Sequence, residues 1–201
     1  MAKIKRTKGE LKAQQEQLRR YQRFLPTLQL KKQQLQSAVQ ETQHKRRQVQ
    51  QRSDQLWQNL EPWIGLFAED TDLARRLSVQ QVRYTTQNVA GLDVPAIDSI
   101  ELTTSWPDPH DSPPWLDAGL EVLEQAVRLR VELTVLQRRE HLLTQELRKT
   151  TQRVNLFEKI KIPECQENIR VIRIALGDLQ TAAVTRAKLA KAKMRQRDAA
   201  S

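Results

Sequence analysis

The stretch LKAQQEQLRRYQRFLPTLQLKKQQLQSAVQ, residues 11–40, begins a seven-residue pattern of apolar side chains that continues to Trp63. With Leu11 set as position a, eleven of the sixteen a and d positions are apolar, and most other positions hold Gln, Lys, Arg or Glu. A period of about 3.5 residues is typical of a coiled-coil strand. The pattern therefore predicts a long N-terminal helix that needs a partner along its apolar seam.

The seam of this first helix is interrupted at several places. Its predicted apolar members are Leu11, Leu18, Leu25, Leu28, Leu35, Val39, Val49 and Leu56. Polar residues and one proline interrupt it: Lys32, Thr42, Arg46, Ser53 and Pro26. A proline inside a helix removes one backbone hydrogen bond and bends the helix. The interruptions are either tolerated defects or an irregularity that lets the helix present different faces to different neighbours.

A second helical pattern begins after the Pro113–Pro114 pair, with Asp117 as its expected N-cap. Its seven-residue spacing fails beyond Phe157 and returns when the frame moves by one residue. We interpret this as one extra residue within 160–163, a skip that locally unwinds a supercoil. In the shifted frame Cys165 lies on the seam, and we expect it to be a buried apolar residue. The predicted seam comprises Leu129, Leu133, Leu136, Leu143, Leu147, Val154, Phe157, Ile169, Ile172, Leu176 and Leu179.

The two helical arms are predicted to pair as an antiparallel two-helix coiled coil. Placing Leu60 beside Leu129 gives a trial register, and this register also puts Pro26 beside Pro163. The second arm is longer than the first, so its end is expected to project as a single helix. That end is either a frayed, solvated tail or a charged plug inside a ring of acidic groups.

The segment between the arms has a different pattern. Residues 61–80 are predicted to continue as a short helix. Two β-branched, partly alternating stretches within 82–104 predict a β-hairpin at the base of the helix pair, with its turn between Ala90 and Pro95. The prolines that follow predict an extended connector.

The fold class expected from these patterns is mainly α, a long antiparallel coiled coil with a small α/β-hairpin region between its arms. The expected parts are an N-terminal helix over 1–61, a base region over 62–115 and a C-terminal helix with a basic tip over 116–201.

The net charge of +10 is unevenly distributed. Residues 1–60 carry 14 Lys or Arg against 4 Asp or Glu, residues 61–124 carry 3 against 12, and residues 125–201 carry 17 against 8. If the arms fold back on each other, the chain termini form a positive pole and the middle forms a negative one. This arrangement suggests two partners of opposite electrostatic character.

Several function classes find no support in the residues. The five glycines are far apart, which excludes a phosphate-cradling loop, and His44, His110 and His141 have no second ligand at metal-binding spacing. A lone cysteine excludes an internal disulfide. There is no run of ~18 apolar residues and no apolar signal segment. We expect a cytoplasmic protein with no cofactor, no metal and no active site.

Three sequence blocks point to a family. They are Arg6–Leu11 leading to Tyr21–Leu35, then Asn88–Pro95 between the helices, and Arg153–Lys159 followed by Ile162-Pro163-Glu164. Because these three blocks occur in this order and at this spacing, the chain resembles the D-subunit family of V-type (V/A-type) ATPases in its bacterial form. The resemblance spans nearly the whole chain.

The resemblance implies a central rotor shaft that binds no nucleotide itself. Its termini would enter a hexamer of A and B subunits, and its base would bind the small F subunit and the funnel-shaped subunit, called C or d, above the membrane ring. Rotation would couple ATP hydrolysis or synthesis to H⁺ or Na⁺ movement. The protein would be a cytoplasmic part of a membrane-associated complex, without membrane insertion or nucleic-acid binding.

Two sets of contact residues follow from this resemblance. The expected hexamer contacts are Lys3, Lys5, Arg6, Lys8, Arg186, Lys188, Lys191, Lys193, Arg195 and Arg197. The expected contacts of the F subunit and the base are Tyr84, Asn88, Gly91, Val94, Pro95, Ile97 and Ile100.

Two other functions remain open at this point. A coiled-coil stalk or chaperone of a flagellar or type III export ATPase would enter a similar ring but would lack the region between the helices. The second open function is that of a basic coiled coil that binds nucleic acid, although few aromatic residues are available to stack on bases.

Overall fold

The structure is a computed structural model that describes residues 4–69, 73–106, 108 and 112–198. In chain order, one long helical arm precedes a two-stranded antiparallel sheet and another follows it, so the predicted mainly α fold with a small β-hairpin region is confirmed. The helices are α1 (Lys8–Leu60), α2 (Leu73–Arg76), α3 (Leu116–Leu156) and α4 (Ile162–Asp198). A 3₁₀ helix covers Glu61–Ala68, the strands are β1 (Leu77–Val89) and β2 (Leu92–Thr104), and a π-helical turn covers Phe157–Lys161.

Contacts divide the chain into two compact units. The terminal unit comprises Met1–Leu30 and Thr150–Ser201, and the central unit comprises Lys31–Lys149. Helices α1 and α3 each contribute to both units. Within the described residues, no helix is both long enough and apolar enough to cross a bilayer.

In the central unit, α1 and α3 are antiparallel. Lys31 pairs with Glu146 at 3.0 Å and Arg46 pairs with Glu140 at 2.9 Å, so residue numbers fall on α3 as they rise on α1. Two of the polar seam positions have partners: Arg46 pairs with Glu140, and the hydroxyl of Thr42 donates to the carbonyl oxygen of Ala38 at 2.8 Å. At Arg46 and Thr42 the interruption of the seam is therefore accommodated by polar contacts.

The terminal unit shows that the trial register is wrong by about one heptad. In that register Tyr21 would face Asn168, but the Tyr21 ring packs on Phe157 with centroids 4.9 Å apart. The amide of Asn168 instead donates to Gln14, one heptad before Tyr21, at 3.3 Å. Pro26 and Pro163 consequently do not lie at one level.

The predicted skip in the second arm is present as a π-helical turn over Phe157–Lys161. The amide of Ile162 donates to the carbonyl oxygen of Phe157, five residues earlier instead of four. This turn absorbs the extra residue, slightly before the predicted 160–163. Pro163 follows in the first turn of α4, where a missing amide hydrogen is tolerated.

The hairpin is longer than predicted and is placed differently. Strand β1 begins at Leu77, so the prediction of a helix through residue 80 is wrong for its last four residues. The hairpin turn packs on Leu35, Val39 and Leu143, in the interior of the long helices. The prediction that the hairpin lies at the base of the helix pair is therefore wrong for the turn. The physical reason is that the apolar residues of the turn are buried against apolar residues in the middle of the helices.

An aromatic cluster lies where α3 begins. Phe67 packs between Trp63 and Trp115, with ring centroids 5.5 and 5.4 Å away. A Cβ at Gly119 would come within 3.2 Å of the Trp115 ring, so a side chain at this position would fit only if the ring moved slightly. Helix α3 starts at Leu116, which places Asp117 inside the first turn, and the predicted N-cap is wrong.

Candidate functional site

The end of α4 is exposed on all sides. From residue 177 to residue 196, every residue except Ala182 is exposed. Extending the Gln14–Asn168 pairing to the first residue of α1, Lys8, reaches only about residue 174 of the second arm. Beyond that level the described residues place no helix beside α4, which explains why Leu179, predicted in the seam, is 62% exposed.

The exposed end also carries large apolar side chains. These are Leu179, Val184, Leu189 and Met194, with exposed fractions between 55% and 69%. They are spaced five residues apart, and five residues advance about 140° beyond a full helical turn. Successive apolar side chains therefore point in different directions around the helix, unlike the single stripe of a helix that packs on one partner.

The cations expected to contact a hexamer are exposed where the structure describes them. Lys5 and Arg6 lie just before α1 and Lys8 is its first residue, whereas Arg186, Lys188, Lys191, Lys193 and Arg195 lie along the α4 end. Among the described side chains, none of these cations forms an ion pair with a carboxylate. Lys3 and the side chain of Arg197 lie outside the described residues.

The hairpin turn is fixed by its own residues. Ala90 and Gly91 have φ of 51° and 78°, the pair of positive values that a type I′ turn requires. The Asn88 side chain accepts from the Gly91 amide at 3.1 Å and donates to Asp93 at 2.7 Å. Asn88 and Gly91 therefore shape the turn.

The other hairpin residues expected to contact the F subunit differ in exposure. Tyr84 is 62% exposed, whereas Pro95, Ile97 and Ile100 are half-buried. Val94 is fully buried against Leu35, Val39 and Leu143. Its side chain is unavailable to a partner, so we leave Val94 out of the proposed contact surface.

Sequence reasoning missed how the hairpin is attached. Val94 seals the turn onto the helices, and the Arg128 guanidinium donates to the carbonyl oxygen of Ile100 at 3.3 Å. Val94 follows the turn as an apolar residue between Asp93 and Pro95, which is a signal for burial. The sequence offered no signal for the helical residues that Val94 contacts, because their apolar character is already explained by their position in the interhelical seam.

The histidines and the cysteine considered in the sequence analysis do not form a cluster where the structure describes them. His44 and His141 lie on exposed helix faces beside Gln48 and Gln145. His110 lies outside the described residues. Cys165 is 3% exposed, and burial raises the pKa of its thiol. No three His, Cys, Asp or Glu side chains of the described segments are grouped closely enough to hold a metal ion.

Comparison of the whole chain with known proteins identifies its family. Residues 10–192 match the family described as the D subunit of ATP synthase. The chain is 42% identical over 194 residues to the V-type ATP synthase D subunit of Borreliella burgdorferi, covering 96% of both chains. It is 31% identical over 198 residues to the protein of that name from Chlamydia muridarum, covering 97% of this chain and 98% of the relative. The chain therefore belongs to the D-subunit family of ATP synthases.

Proposed function

We propose that this protein is the central rotor-shaft component of a V-type ATPase or ATP synthase. In this role it turns inside a hexamer of A and B subunits, coupling ATP hydrolysis or synthesis to rotation and to H⁺ or Na⁺ transport. The protein itself is proposed to be non-catalytic and to lie on the cytoplasmic side of the membrane. The observation that carries the proposal is the exposed end of α4.

A helix with apolar residues on every side is expected to be contacted on every side. Leu179, Val184, Leu189 and Met194 point in successive directions, and each is more than half exposed. Covering these exposed apolar side chains would remove apolar surface from water, so a partner that surrounds the helix would be stabilised by all four of them. A flat partner or a single second helix would cover only one of these directions. A ring of subunits around the helix would cover all of them.

Charge supports the same partner. The cations among these apolar residues favour acidic groups on the surrounding wall, and their attraction is long-ranged and weakened by salt. Such contacts hold the helix in place without interlocking shape, so they permit rotation. As the helix turns, its unequal faces would stabilise different conformations of successive A/B pairs through differential contact energy.

The remaining parts are assigned to the membrane-proximal partners. We propose that the three parts 1–61, 62–115 and 116–201 act as shaft helix, docking region and shaft helix with tip. The exposed hairpin side chains, Tyr84 foremost, are proposed to contact the F subunit. The end of the helix pair beside Trp63 is proposed to contact the funnel-shaped C/d subunit.

The alternative, a stalk or chaperone of an export ATPase, explains less of the chain. It gives no role to the thirteen-residue strands β1 and β2 or to the turn clamped by Asn88. The family match over residues 10–192 includes this hairpin.

The proposal is tested with purified A, B and F subunits and two variants of the α4 end. Replacing Leu179, Val184, Leu189 and Met194 by Ser is expected to weaken binding of the A/B hexamer at least tenfold, whereas F binding is retained. The matched control replaces only Val184 and Met194, and a smaller loss is expected because two directions stay apolar. Hexamer binding that is unchanged in the fourfold variant at both low and high salt would contradict the proposal.

A further inference from the structure

A groove of about 380 Å³ lies on the terminal unit between α1 and α4. It is lined by Gln15, Leu18, Arg19, Gln22, Gln166, Ile169 and Arg173. Ile169 is buried and Leu18 is half-buried, whereas both arginines are exposed. The groove therefore has an apolar floor and a polar rim.

The rim of this groove carries positive charge that no carboxylate among the described residues neutralises. Arg19 and Arg173 stand on different helices, and the lining contains no carboxylate. Neither arginine forms an ion pair with any described carboxylate. The neighbouring Arg170 differs, because its two donating nitrogens bind Glu167 at 2.7 and 2.8 Å. These hydrogen bonds lower the pKa of the Glu167 carboxyl.

The surroundings of the groove also favour an acidic occupant. Residues 4–30 carry seven Lys or Arg against two Glu, and residues 150–198 carry eleven against five Asp or Glu. The glutamines on the rim add amide donors that suit carboxylate and carbonyl oxygens. Guanidinium groups bind carboxylates through paired hydrogen bonds, which gives geometric specificity in addition to attraction.

The apolar floor indicates what else the occupant carries. Leu18 and Ile169 offer a surface for an aliphatic side chain, whereas none of the seven lining residues is aromatic. Proteins that bind single-stranded nucleic acid stack bases on aromatic residues. The groove therefore favours a protein segment over a nucleic acid.

We propose that this groove binds an acidic segment of the surrounding A/B hexamer. A carboxylate of that segment pairs with Arg19 and Arg173, and an aliphatic neighbour packs on Leu18 and Ile169. This inference rests on the proposed function and adds to it a specific docking point on the paired helices, below the single-helix end of α4.

The test compares two charge-reversed variants of the full-length chain for affinity to purified A/B hexamer. Arg19→Glu with Arg173→Glu reverses the groove, and the control, Arg20→Glu with Arg23→Glu, makes the same change in net charge on residues that do not line it. We expect the groove variant to bind at least tenfold more weakly and the control within about threefold of the parent chain. Equal losses in both variants would overturn the proposal, because only total charge would then matter.

A second measurement identifies the occupant and covers the case of misfolding. A photo-crosslinking residue at Gln22, in the otherwise unchanged chain, is expected to yield adducts with an Asp- or Glu-containing segment of A or B. Adducts with the F subunit or with added single-stranded DNA, but not with A or B, would overturn the proposal. If charge reversal lowers the helical signal in circular dichroism, Arg19→Gln with Arg173→Gln replaces it.

Failure of the groove and failure of the proposed function give different results. If the parent chain does not bind the A/B hexamer, the proposed function itself is wrong. If the parent binds and the groove variant binds equally well, only the groove assignment is wrong.

Discussion

Cys165 illustrates how burial sets the chemistry of a single side chain. It is 3% exposed in the seam of α4, and desolvation raises the pKa of its thiol above the ordinary 9.0. Since the thiolate is the reactive form, a buried thiol with a raised pKa is inert. The same shift links this residue to stability at high pH.

We predict that Cys165 resists alkylation in the folded protein and lowers stability in alkali. In the unfolded chain the thiol ionises near pH 9.0, whereas in the folded chain it keeps its proton to higher pH. Stability from this group is thus full below pH 9.0 and declines as pH rises through the folded pKa. Chemical unfolding between pH 7 and 10, with thiol labelling at each pH, measures both effects.

The control is Cys165→Val, which keeps an apolar side chain but cannot ionise. Subtracting its pH profile from that of the parent chain removes the contributions of lysine and tyrosine residues. Identical profiles, or rapid labelling of the folded parent chain at pH 8, would contradict the prediction.

The π-helical turn shows how a one-residue excess is accommodated at the level of an element. The seam passes from Phe157 to Ile162, a spacing of five instead of the usual three or four. The extra residue bulges outward, and Ile160 is accordingly 54% exposed. The turn also precedes Pro163, whose ring would clash with a carbonyl oxygen in a regular helix interior.

We predict that removing the extra residue together with the proline restores a regular helix. Deletion of Ile160 combined with Pro163→Ala gives the seam a spacing of four and exposes no buried side chain. Its thermal midpoint is expected to equal or exceed that of the parent chain. Deletion of Ile160 with Pro163 kept is expected to cost about 3 kcal/mol because the proline then lies inside the helix.

The matched control deletes Lys149, an exposed residue of α3, in the Pro163→Ala background. This deletion rotates the buried residues Thr150 and Val154 by about 100°, because they lie between the deleted position and the π turn. It is expected to unfold at a much lower temperature. Equal midpoints for the two deletions would disprove the link between the π turn and the seam.

At the scale of the whole molecule, the central unit is nearly balanced in charge and contains a buried apolar cluster. Residues 31–149 hold 15 Lys or Arg and 17 Asp or Glu, nearly balanced, and α1 and α3 use some of these for interhelical pairs. In this unit the hairpin shares an apolar cluster with both helices through Val94, Leu35 and Leu143. The hairpin is thus part of the core of the central unit.

We predict that removing the hairpin destabilises the helix pair and also removes the proposed surface for the F subunit. Joining Ser78 to Thr103, which are paired across the strands, by a short Gly-Ser linker uncovers Leu35 and Leu143. Loss of Val94 burial alone is expected to cost about 1.5–3 kcal/mol. Denaturant unfolding measures this cost, and binding of purified F measures the loss of the surface.

The control for this deletion is Val94→Ala, which keeps the exposed hairpin surface but weakens its attachment. It is expected to lower stability and to retain F binding. A deletion variant as stable as the parent chain would contradict the role of the hairpin in the core, whereas retained F binding would contradict the proposed F surface.

The periodic pattern of the sequence by itself determined the two long helices, their antiparallel pairing, the skip near Phe157 and the existence of the hairpin. The helices, the skip and the hairpin depend on the local spacing of apolar residues, which a helix or a strand converts directly into one face, and the pairing was predicted because each arm carries an apolar seam that needs a partner. The interhelical register was missed because a seam that repeats every seven residues can still pair after a shift of one heptad, and only particular pairs, such as Tyr21 with Phe157, distinguish one alignment from the next. The position of the hairpin turn and the groove beside Arg19 and Arg173 were decided by the tertiary structure alone, because each depends on residues distant in sequence meeting across two elements.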